Sequence, residues 1–163
     1  MTSPTIGGSP RVLAVWAMLG YAGLTPVFAF LDWIFPSSPA TFASRSYGDF
    51  DNFVNVFTMV LPVLAVLLAV YVEPGLPGAR LMATVALVEY AVVLLFGVVT
   101  LLVGLGVAFS DYPGNALYSF GRALDGLGYL VLGVGELILV AIAMLVVYRA
   151  YTALGGRLTT WRP

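Results

Sequence analysis

Hydrophobic residues fall in four long runs, each closed by charged or turn-forming residues: 12–35, 53–72, 81–109 and 123–148. A helix rises 1.5 Å per residue, so about 20 apolar residues cross a hydrocarbon layer roughly 30 Å thick. No run alternates apolar and polar positions as barrel strands do, and in lipid each segment must satisfy its own backbone hydrogen bonds, so the pattern predicts helices. The expectation is an all-α, polytopic membrane protein: a four-transmembrane-helix bundle over residues 11–151, with a disordered stretch at 1–10 and a short tail at 152–163. The first run is too long for the h-region of a signal peptide, about 7–15 residues, and is read as a span.

The connections separate the runs. Residues 36–52, PSSPATFASRSYGDFDN, read as a polar loop. Residues 73–78, EPGLPG, form a tight turn that makes the second and third spans antiparallel neighbours, since Pro and Gly end helices.

Composition narrows the chemistry. Hydrophobic residues make up 61% of the 163-residue chain and charged residues 9%; soluble domains average about 45–50% and 25%, so a soluble fold would lack polar cover. Cys, His and Lys are absent and all seven basic residues are Arg. That removes disulfides, thiol and imidazole nucleophiles, His or Cys metal and haem sites, and a Walker lysine. No catalytic residue, cofactor or metal is expected, and no basic stripe suggests nucleic acid.

Charge orients the bundle. Arg11, Arg80, Arg149, Arg157 and Arg162 fall on the side of the termini with Glu73; Arg45 and Arg122 fall on the other with Asp32, Asp49, Asp51, Asp111 and Asp125. Arginine in short loops marks the cytoplasmic face, so both termini are expected to be cytoplasmic. Trp33, Phe35, Tyr112 and Tyr118 fit an outer aromatic belt, and Tyr71, Tyr148 and Tyr151 an inner one. Abundant Ala, Val, Leu, Gly and Arg without Lys suggests a bacterial cytoplasmic membrane.

Two acids interrupt the apolar runs. Glu89 and Glu136 have no basic residue at comparable depth, and a charged residue near a helix centre costs on the order of 2.5–3.5 kcal/mol, so each needs a partner or a proton. Ala86, Glu89, Val93, Gly97, Thr100 and Gly104 recur at steps of three or four, a small-and-polar stripe that should face protein. On the fourth span Gly121, Gly128 and Gly135 recur at sevens, while Tyr129, Gly133 and Glu136 mark an adjoining face. The simplest assembly packs the third and fourth spans face to face. The candidate intramembrane polar site is Glu89, Glu136, Thr100 and Tyr129.

Pro26 and Pro62 are candidate hinges, because proline breaks the i to i−4 hydrogen-bond pattern; Thr25 and Thr58 stand near enough to satisfy part of the freed backbone. Asp49, Asp51 and Asp111 form a weak outer acidic patch without the full spacing of a calcium loop.

The functional expectation is a non-enzymatic accessory or interaction subunit. Its partners would be the bilayer and either another membrane protein or a second copy, met through the small-residue faces of the third and fourth spans. The alternative is a proton- or cation-coupled transporter or channel component using Glu89 and Glu136.

Overall fold

The computed structural model describes residues 10–36, 39, 41–109 and 116–155. Among the described residues five helices follow one another: α1 (Pro10–Ile34), α2 (Phe42–Phe53), α3 (Val56–Val70), α4 (Ala79–Ala108) and α5 (Ala116–Ala153). Four stretches are long and apolar enough to cross a bilayer: α1, Phe42–Val70, α4 and Phe120–Ala153. The fold is all-helical with four such spans, which is compatible with a small integral membrane protein.

The polar loop expected at 36–52 is the principal departure: residues 42–53 are helical. The Thr41 hydroxyl caps α2 by accepting from the Ser44 N–H at 3.2 Å. Ser46, Phe50 and Phe53, at steps of four and three, form a buried face, while Ser44, Gly48, Asp51 and Asn52 point outward. Burying Ser46 is tolerable because it is fully bonded. It accepts from the Trp33 indole at 3.0 Å and donates to the Phe42 carbonyl at 2.9 Å.

α2 and α3 together make the second span, broken at Val54–Asn55. Asn55 accepts from the N–H groups of Phe57 and Thr58 at 3.0 and 3.1 Å, and the Thr58 hydroxyl accepts from the Asn55 N–H at 3.0 Å. This capping box starts a new helix within the second apolar stretch, Phe42–Val70. Val54 lies against Gly97, which is 18 residues, about 27 Å, along α4 from Ala79.

The interruption lies away from the candidate hinges Pro26 and Pro62. α1 and α3 run continuously through Pro26 and Pro62, both buried. Nor do the threonines serve as expected. Thr25 donates to the Tyr21 carbonyl at 2.9 Å, one residue short of the Ala22 carbonyl that Pro26 frees, and Thr58 donates to Phe53 and Asn55 at the helix break.

α4 and α5 pack antiparallel in the most extensive helix contact, as the stripe on the third span implied. A Cβ on Gly97 would meet Val54 and Leu137 at 2.7 and 2.8 Å, and one on Gly104 would come within 3.0 Å of the Tyr47 Cα. Gly126 and Gly133 reciprocate on α5, against Phe109 and Leu101. α2 wedges beside this pair, so the α4 stripe is covered from two sides.

The ends differ in charge. Arg11 donates to the Pro74 carbonyl and the Arg80 guanidinium sits 5.5 Å above the Tyr151 ring, gathering the start of α1, the α3–α4 turn and the end of α5 at one basic end. That turn closes on Gly78, whose φ of 85° favours glycine. At the opposite, acidic end, Trp33, Phe53 and Phe96 form an aromatic core in which Phe53 and Phe96 stack at 5.3 Å. Trp33 and Tyr151 are accordingly buried, where interfacial belts were expected; Phe35, Tyr71 and Tyr148 are exposed. α5 begins seven residues before the expected span and stays helical to Ala153, two residues into the expected tail. Of the stretch 1–10 expected to be disordered, Pro10 begins α1; residues 1–9, residues 156–163 of the tail, Asp111 and Tyr112 lie outside the described residues, as does the side chain of Tyr118.

Candidate functional site

The break in the second span tilts a polar helix into the acidic half of the bundle, and a groove of 440 Å³ opens between α2 and α5. Tyr47, Phe50 and Asp51 form one wall; Asp125, Gly128, Tyr129, Leu132 and Glu136 form the other. Tyr47 and Asp51 share a face because they are four apart on a helix, and Asp125, Tyr129, Leu132 and Glu136 follow at steps of four, three and four.

Tyr129 is the best anchored of these. Its ring lies 4.6 Å from Tyr47 and 5.9 Å, edge-on, from Phe50, in the space that Gly104 leaves open. Its hydroxyl donates to the Thr100 carbonyl at 3.4 Å. The Thr100 hydroxyl turns back onto its own helix, donating to Phe96 and Gly97 at 2.8 and 3.2 Å, so Thr100 offers the groove no side-chain group. Glu136 projects into the groove, and its Oε2 is buried with no hydrogen-bond partner.

Glu89 lies elsewhere. It leans on α1, where its Oε1 would stand 3.0 Å from a Cβ on Gly23, and its Oε2 is also buried and unpartnered. The contacts Gly97–Leu137 and Gly104–Tyr129 set Glu89 level with residue 145, nine residues or about 13 Å from Glu136 in depth. Different flanks and different depths separate the two acids. The four residues of the expected polar site thus divide into Glu136 with Tyr129, a neighbouring Thr100 turned away, and a distant Glu89.

The outer patch divides as well. Asp51 lines the groove, whereas Asp49 accepts from Asn52 at 2.9 Å along α2. Among the described residues no three acids converge as metal ligands. A second groove of 400 Å³, lined by Thr25, Asp32, Asn52 and Asn55, opens on the other side of the break.

The grouping of Asp51, Asp125 and Glu136 escaped the sequence reading because Asp51 was placed in a loop. A signal existed: Tyr47–Asp51 and Ser46–Phe50–Phe53 have helical spacing, and Thr41 and Asn55 are both good caps. Each of these carboxylates can accept a charge-assisted bond from a donor in the groove, but they are too dispersed to share one metal ion. No family model, curated protein or solved structure matches this chain.

Proposed function

We propose that this chain is a multi-pass protein of the bacterial cytoplasmic membrane, both termini inside, acting as a non-enzymatic accessory subunit that binds another membrane protein along α5. The supporting observation is the acid-lined groove on the bundle's flank. In a bilayer, lipid tails would otherwise lie beside Glu136 and Asp51, and covering those groups with a partner removes that cost. Exposure agrees: 17% of the apolar window of the α5 span is buried, against 39% in the second span.

A photoreactive residue at Leu132 in native membranes is expected to give a discrete adduct with a second membrane protein, and one at Leu24 on α1 is not. Lipid adducts alone at both sites would sink the proposal. Cysteines introduced at Pro39 and Thr159 test the orientation, since the chain has none: an impermeant reagent added from outside should label only the first.

The proton- or cation-coupled reading draws support from the discontinuity of the second span beside carboxylates, an arrangement that transporters use at ion sites. It predicts flux in proteoliposomes that Glu136→Gln abolishes; the accessory reading predicts no flux in either protein.

A further inference from the structure

Below the acid-lined groove a second, apolar groove of 330 Å³ follows along α5, its other wall now α3 instead of α2, lined by Met59, Val60 and Val63 of α3 and by Leu139, Ile142 and Val146 of α5. On α5 the two are continuous, because Asp125, Gly128, Leu132, Glu136, Leu139, Ile142 and Val146 succeed one another at steps of three or four. They form one furrow. From Asp125 to Val146 it runs 21 residues, about 32 Å, close to the roughly 30 Å of a whole hydrocarbon layer.

We infer that the furrow seats a transmembrane helix of a different protein, carrying a basic side chain in the half of the membrane that holds Asp51, Asp125 and Glu136. This rests on the accessory-subunit reading and names the partner's chemistry.

Length selects a helix, since a lipid chain covers only one leaflet, about 15 Å. Shape agrees: a Cβ on Gly121, Gly128 or Gly135 would meet nothing within 4 Å, so another backbone can approach α5 closely there. Charge selects the side chain. Three carboxylates and no basic residue line the polar part. On α5 they are spread from Asp125 to Glu136, about 16 Å, too far apart to share one point ion, so a cationic side chain would pair with one carboxylate at a time. Arg122, one turn from Asp125 at the mouth, has an interaction of its own. A second copy fits poorly, because two-fold pairing of parallel α5 helices across the glycine row brings each Asp125 toward its own mate.

The test uses the full chain, donor-labelled, in liposomes with acceptor-labelled 24-residue Leu/Ala helices as probes, each bearing one Lys, Glu or Leu at mid-length or one third from an end. Energy transfer should show a Lys helix bound about tenfold more tightly than the Leu helix, as one interhelical polar bond allows, with Glu weakest. The Asp51→Asn/Glu136→Gln double variant should lose the Lys preference with its circular dichroism unchanged, and Gly128→Leu should abolish binding of every probe.

Equal binding of Lys and Leu helices, no effect of Gly128→Leu, or displacement of the probe by an equimolar aminophospholipid would each overturn the inference. The two readings fail separately. A discrete protein adduct at Leu132 without a Lys preference leaves the accessory role standing and removes the basic helix; absence of both removes both.

Discussion

α5 carries two rows of glycine in opposite surroundings. Gly126 and Gly133 face the bundle, where an added Cβ would come within 2.9 Å of Phe109 and 2.6 Å of Leu101; Gly121, Gly128 and Gly135 face open space. The first row is explained by the fold that contains it: it lets α4 approach and admits Phe50 of α2. Among the described residues no side chain or backbone packs against the second, and it borders the furrow. Glycine in a helix interior costs roughly 0.5–1 kcal/mol against alanine, so three unexplained glycines on one face point outside the chain.

The interior side of this contrast should break hardest at Gly104. Its Cβ would meet the Tyr47 backbone, which cannot swing away as a side-chain tip can, and the Tyr129 ring fills the remaining space. Gly104→Leu is expected to cost about 3 kcal/mol or prevent folding, the upper range for overpacking. Denaturant titration in micelles measures it, and a loss under about 1 kcal/mol would mean that α2 does not sit against α4.

Ser46→Ala comes next. It removes only the hydroxyl oxygen and leaves the Trp33 indole N–H buried without its acceptor, at about 1–3 kcal/mol. Ser46→Thr keeps the acceptor and should recover most of the loss in the same titration. A smaller effect, about 1 kcal/mol, is expected for Thr58→Val, which removes one side of the capping box that begins α3. Because that box lies at the break, the same variant should loosen amide-exchange protection at Phe57 and Thr58 more than at Val66.

These variants also mark what was legible in the sequence. Three of the four spans were, because length and apolarity alone select them. The α4 stripe was too, since helical spacing puts Gly97, Thr100 and Gly104 on one side whatever the neighbours. The second span was not. Its outer part, SRSYGDFDNF, is polar enough to pass for a loop despite its helical spacing and caps, and the aromatic face that it packs against Trp33, Phe96 and Tyr129 fixes it as a helix. Burial is a tertiary fact, so the break at Val54–Asn55 stayed hidden and the prolines drew the hinge assignment. Of the candidate site, Glu136 and Tyr129 could be paired by their spacing on one helix; Asp51 could not, because its helix was unknown.

The finest separation comes from one chemical change made twice on α5. Gly133→Ala puts a methyl 2.6 Å from the Leu101 Cδ1 and 3.4 Å from the Phe50 ring; the leucine tip can yield and the ring hardly, so a loss of about 1 kcal/mol is expected. Gly128→Ala meets nothing within 4 Å and removes the conformational freedom of glycine from the unfolded chain, so it should raise stability by about 0.5–1 kcal/mol. The signs are opposite for the same methyl group on one helix. In native membranes the order should reverse: Gly128→Ala, the more stable protein, should give a weaker adduct at Leu132, because its methyl stands where a partner backbone would come closest. A Gly128→Ala variant that gains stability and keeps its full adduct would separate the glycine row from the furrow and leave the partner resting on the carboxylates alone.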